Sequence, residues 1–118
     1  MSYNINTWKT KKLDNFIIPM VEIRKLPYVD VDLDEDGNVE ISGVSEMFEI
    51  IGNLKNKKVH VATICYAGEG SGSTWDDLKK CFESSTGELI ATQIWKEGDS
   101  ITRLVVKDGN VTEENIEL

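Results

Sequence analysis

One histidine, two cysteines, two prolines and no long apolar run leave this 118-residue sequence short of the groups most chemistry needs. His60 is the single histidine, which excludes a two-histidine metal site and with it most zinc enzymes. Cys65 and Cys81 are too few for a disulfide scaffold, so free, buried thiols are expected. If residues 59–66 form one regular strand, His60 and Cys65 point to opposite faces and cannot act as a pair. No Gly-x-Ser-x-Gly elbow occurs, and GSGST places Ser71 and Ser73 beside glycines without a positioned base. No apolar stretch approaches the ~20 residues needed to span a bilayer. The opening MSYNINTWKTKK also lacks the apolar core of a secretory signal. A single cytoplasmic domain spanning 1–118, without membrane contact, cofactor or metal, is the expectation.

Charge of one sign is scarce as well. Twenty-one acids stand against thirteen Lys and Arg, for a net charge of −8. Binding to nucleic acid is driven by cationic side chains, so nucleic acid is excluded as a partner. The distribution is uneven. Residues 1–25 carry Lys9, Lys11, Lys12, Arg24 and Lys25 against Asp14 and Glu22, whereas residues 26–54 contain eight acids and no Lys or Arg. Such a block attracts basic proteins or cations; its simplest reading is solubility.

The most arresting part of that block is DVDLDEDGNVEI, residues 30–41. Asp32, Asp34, Asp36 and Gly37 match the start of a calcium-binding EF-hand loop. The twelfth position, which must supply a bidentate Glu, is Gly43, and Pro27 with strand-like alternation replaces the entering helix. A β-hairpin accounts for more residues. With Glu35, Asp36 and Gly37 as a three-residue loop, Leu33 faces Val39 and Val31 faces Ile41 on the core side, and Asp32 faces Glu40 on the other. The tetrapeptide DGNV recurs at 108–111, without a row of aspartates, again between strand-like runs.

Elsewhere NFIIPMVEI, SEMFEIIGNL, KKVHVATICYA and GELIATQIW read as strands. Pro19 suggests an edge or bulge, SEMFEIIGNL also has helical spacing, and KKVHVATICYA looks apolar on both faces, as a central strand would be. One helix is clear at 73–84: Ser73 can cap it, Asp76 and Asp77 open it, Lys79 and Lys80 follow, and Trp75, Leu78, Cys81 and Phe82 form its apolar stripe. The expected fold is α+β: a largely antiparallel sheet of six or seven strands, one main helix on one face, and a parallel pair formed by a crossover between 59 and 95.

CYAGEGSGSTWDD runs from a strand through three glycines into that helix, a topology that can cradle phosphate. Neither phosphate-loop fingerprint is complete, and Glu69, Asp76 and Asp77 oppose an anion. The leading expectation is a non-catalytic acidic protein that covers a basic protein surface through Asp30, Asp32, Asp34 and Glu40. Tyr66, Glu69, Ser71 and Trp75 form a second candidate binding patch. An immunity protein or inhibitor of a nuclease-like toxin fits size and charge best. The alternatives are an enzyme or small-molecule binder using the turn at 68–73, and a homo-oligomer pairing through edge strands.

Overall fold

The computed structural model describes residues 6–27, 29–43, 47–67, 72–95 and 100–117. In chain order its elements are β1 (Asn6–Pro19), α1 (Met20–Ile23), β2 (Val29–Leu33), β3 (Asn38–Gly43), β4 (Met47–Lys55), β5 (Lys58–Ala67), α2 (Gly72–Phe82), β6 (Thr86–Trp95), β7 (Ser100–Lys107) and β8 (Asn110–Glu117). The strands form one eight-stranded sheet in the order β2-β3-β4-β5-β1-β6-β7-β8. Every adjacent pair is antiparallel.

A largely antiparallel sheet is what the alternation predicts, but there are eight strands rather than six or seven. The first strand, β1, also extends beyond NFII into a polar N-terminal half that does not read as strand, because irregularities break its alternation. Trp8 and Thr10 face inward; a register shift at Lys11 passes the inward position to Leu13; a second, between Asp14 and Ile17, passes it to Phe16 and Ile18. Each extra residue flips the parity of everything after it. Asn15, at the second shift, has φ 47 and lies against Gly87, where a Cβ would come within 1.8 Å of the Asn15 carbonyl oxygen.

β1 also removes the expected parallel pair. β5 and β6 run in the same direction, but β1 lies between them and pairs antiparallel with both. Pro19 marks neither an edge nor a bulge. It ends a central strand where the chain turns into α1, and the Met20 N–H then bonds to the Lys57 carbonyl at 2.9 Å. The run NFIIPMVEI is therefore half strand and half helical turn. Met20 and Ile23, spaced three apart, both enter the core. Of SEMFEIIGNL, the described part from Met47 onward is strand: β4 pairs with β5 from Met47 to Lys55 and with β3 from Glu49 to Asn53.

One face of the sheet is largely apolar, with Thr10, Gln93 and Thr102 as its inward polar residues toward the end of β1, β6 and β7. Val39, Ile41, Ile50, Val59, Ile64, Ile18, Leu89, Leu104 and Val106 lie on it and are nearly or wholly buried. Each such side chain contributes roughly 1.5–3 kcal/mol on burial. α1 and the second half of α2 close over this face. Leu78, Cys81 and Phe82 are buried, and the Phe82 ring meets Phe16 edge-to-face at 5.5 Å. Helix α2 begins at Gly72, so Ser73 lies inside its first turn rather than at its cap. It stops at Phe82, where the Ser85 N–H and Oγ both donate to the Phe82 carbonyl. Its packing differs from a helix laid squarely across a sheet. Its backbone runs nearest the edge strand β8, with Lys79 reaching Glu113 at 3.4 Å. No helix among the described residues is long and apolar enough to cross a membrane.

Candidate functional site

The acidic stretch forms the β2–β3 hairpin at one edge of the sheet, with the register its alternation predicts. Val31 pairs with Ile41, Leu33 with Val39, and Asp32 with Glu40. Gly37 takes φ 86 in the three-residue loop, where the Asp34 N–H donates to the Asn38 carbonyl at 3.0 Å. Asp34 builds this loop. Its Oδ1 accepts the N–H groups of Asp36 and Asn38 at 2.9 Å each, and its Oδ2 accepts the Asn38 amide at 3.0 Å. Hydrogen bonds from Asn38, first from its side chain and then its backbone, hold the Asp34 carboxyl below the usual carboxylate range. Both oxygens are thus committed to the turn. Among the described residues no group of three His, Cys, Asp or Glu side chains is placed to hold a metal ion.

Asp30, Asp32 and Glu40 are a different matter. They stand exposed on the outward face, and among the described residues none of them makes a salt bridge. Asp32 opposite Glu40 is a like-charge cross-strand pair, which costs a few tenths of a kcal/mol, up to about 1. Beside them is a shallow depression of about 280 Å³ lined by Asp32, Leu33, Asp34, Asn38, Val39, Glu40 and Ile51. Leu33 and Ile51 are 47% and 37% exposed. Leu33, opposite Val39, belongs to the core side of the edge, whereas Ile51, opposite Glu40, shares the acids' outward face; an isoleucine beside Asp32 and Glu40 suits the aliphatic stem and cationic head of a lysine or arginine. Ile51 was not legible as part of this site. Ordinary alternation along β4 places Ile50 inward and Ile51 outward, and the unshifted pairing with β3 sets Ile51 opposite Glu40.

The second candidate patch does not assemble from what is described. Tyr66 is buried at 3% exposure, its ring edge-on to Trp8 at 6.4 Å, so it is a core residue and not a surface contact. Glu69 and Ser71 lie outside the described residues, as does most of the turn at 68–73, and of Trp75 only the backbone, within α2, is described.

His60 and Cys65 are both exposed, on the same outward face. The rule of alternation fails because β5 carries an extra residue opposite the Ile51–Gly52 step: Val61 pairs with Gly52 and Thr63 with Ile51. Gly52 makes this possible, since a Cβ there would sit 2.2 Å from the His60 carbonyl oxygen. β5 is therefore central but apolar on one face only. Cys65, expected buried, is at the surface; Cys81 is buried. Burial, followed by the charge of Glu49, raises the Cys65 thiol pKa, and burial pushes Cys81 up to about 12. Both shifts disfavour the thiolate, the opposite of nucleophile activation.

Gln93 escaped the sequence reading altogether. It sits inward on β6 between Trp8 and Thr102, 1% exposed, and its amide has no hydrogen-bond partner among the described residues. No family model, curated protein or solved structure matches this chain.

Proposed function

We propose that this protein works by binding rather than catalysis, covering a basic surface of another protein with the outward face of its β2–β3 hairpin. The observation that carries this reading is the set of exposed, uncompensated acids Asp30, Asp32 and Glu40, of which Asp32 and Glu40 border a shallow depression with Ile51, in a stretch with no Lys or Arg between residues 26 and 54. A net charge of −8 steers a cationic partner toward the protein and speeds encounter. Within this class the reading is an immunity protein or inhibitor that neutralises a nuclease-like toxin, because an enzyme acting on phosphates presents the complementary charge.

The test uses Asp30→Asn, Asp32→Asn and Glu40→Gln together, leaving Asp34 to hold its turn. Immobilised protein is exposed to lysate at low and high salt, and captured proteins are identified and assayed for nuclease activity. A basic nuclease that is captured, inhibited, and released by salt or by the triple variant is the expected result. Equal capture by the variant removes the hairpin from the proposal.

A further inference from the structure

The other wing of the sheet has an outward face of a different kind. Ile94 on β6, Ile101 on β7 and Ile116 on β8 form one cross-strand row, and Ile90 and Val105 belong to another four residues away, with the polar row Thr92, Arg103 and Glu114 between them. Ile94 is 38% exposed and the other four are partly so. β-Branched residues pointing outward on three adjacent strands mark a sheet covered on both faces. No described element of the chain covers this one; the helical side chains that enter the core pack on the opposite face.

Edge-to-edge pairing of two copies is opposed by charge. β2 carries Asp30 and Asp32, β8 carries Glu113 and Glu114, and neither strand has a Lys or Arg. Like charges on both edges discourage strand addition. That leaves the face.

We infer that the outward face of β1, β6, β7 and β8 is a self-complementary interface that takes a second copy of this chain. Two-fold rotation about an axis parallel to the strands and midway between β6 and β7 lays β6 over the partner copy's β7, and β1 over its β8, at unchanged height. The register then dictates the pairs. Ile94 falls on Ile101 and Ile90 on Val105, because each pair shares a level in the sheet. Glu88 falls on Lys107, its own cross-strand partner's counterpart. Lys9 shares a level with Thr92, Arg103 and Glu114, so Lys9 falls on Glu114. No two like charges meet, and each contact occurs twice, as an isologous interface requires. Four strands about 4.8 Å apart and roughly 25 Å long cover on the order of 500 Å² per copy. That is the low end for a specific interface, which corresponds to a reversible dimer. The acidic hairpin lies at the far edge of the sheet and stays outside this contact, so the inference does not rest on the reading of its partner.

Sedimentation equilibrium over a concentration range of about 1 to 500 μM tests it. The expected result is a monomer–dimer equilibrium that Lys9→Glu and Glu114→Lys each weaken about tenfold or more and that the double exchange restores. β6 and β7 separate Lys9 from Glu114 within one chain, so restoration has to come from contact between copies. Ile94→Lys weakens association without touching either charge, and the hairpin triple variant leaves it unchanged. Circular dichroism confirms that each variant is folded. A monomer across the whole range, a double exchange that fails to restore association, or dimer loss in the hairpin variant would each overturn the inference.

Discussion

Two hairpins in this protein contain the same tetrapeptide, Asp-Gly-Asn-Val, and fold it differently. At residues 36–39 the loop spans three residues, Leu33 pairs with Val39, and Asp36 keeps an ordinary negative φ while Gly37 alone is left-handed at φ 86. At 108–111 the loop has two residues, Lys107 pairs with Asn110, and both Asp108 (φ 47) and Gly109 (φ 84) are left-handed. The deciding groups lie outside the tetrapeptide. In the first hairpin Asp34 gathers the loop N–H groups from two residues upstream. In the second the turn is docked onto distant chain: the Asp108 N–H donates to the Gly87 carbonyl at 2.9 Å, and the Gly87 N–H donates back to Asp108 Oδ1 at 3.0 Å. The first turn is built by its own Asp34 and touches only the adjacent strand, the Leu54 N–H donating to the Gly37 carbonyl at 2.7 Å; the second exchanges hydrogen bonds in both directions with Gly87, across the sheet.

That contrast breaks most visibly at the glycines. A Cβ on Gly109 would lie 2.6 Å from the Glu83 carbonyl oxygen, whereas at Gly37 the nearest atom, the Leu54 carbonyl oxygen, is 3.1 Å away. Gly109→Ala should cost roughly 3 kcal/mol in urea denaturation, and Gly37→Ala about 1 kcal/mol, near the left-handed backbone penalty alone. Equal losses would mean that the second turn is no better anchored than the first.

Acid sharpens the comparison from the other side. The Asp34 carboxyl has its pKa lowered on folding, so it contributes stability above its unfolded pKa and loses it as pH falls through the folded value. The advantage of wild type over Asp34→Ala should therefore be full at neutral pH and fade toward the acid end of the carboxylate range. A difference that stays constant with pH would remove the charged acceptor from the account of the turn.

The smallest effect expected is the most telling for function. Asp32→Asn relieves the like-charge pair with Glu40 and should stabilise the fold by a few tenths of a kcal/mol while weakening any basic partner. A residue that costs stability and gains binding is behaving as a site. If thermal melting shows the variant less stable, Asp32 serves the fold instead.

Legibility in the sequence tracks how local the cause is. The β2–β3 register, the inward set Val31, Val39 and Ile41, and the stripe Leu78, Cys81 and Phe82 follow from periods of two and 3.6 within a few residues. β1 was legible only in its second half, because its irregularities at Lys11 and between Asp14 and Ile17 erase the period that reveals a strand. The same effect opposite Gly52 brought His60 and Cys65 to one face against the rule of alternation, while the β3–β4 register set Ile51 opposite Glu40. For the candidate site, the acids could be read from composition and the isoleucine set beside them could not.

The amino-acid sequence alone determined that this chain makes hairpins with one oily and one wet face and turns its acidic edge at a glycine. Tertiary structure decided the rest: that the first strand inserts between the fifth and sixth, that one proline turns a strand into a helical turn, and which outward residues share a level. Strand order and bulges come from contacts between residues far apart in the chain, where the free energy of closing a long loop and filling a common core outweighs local preference.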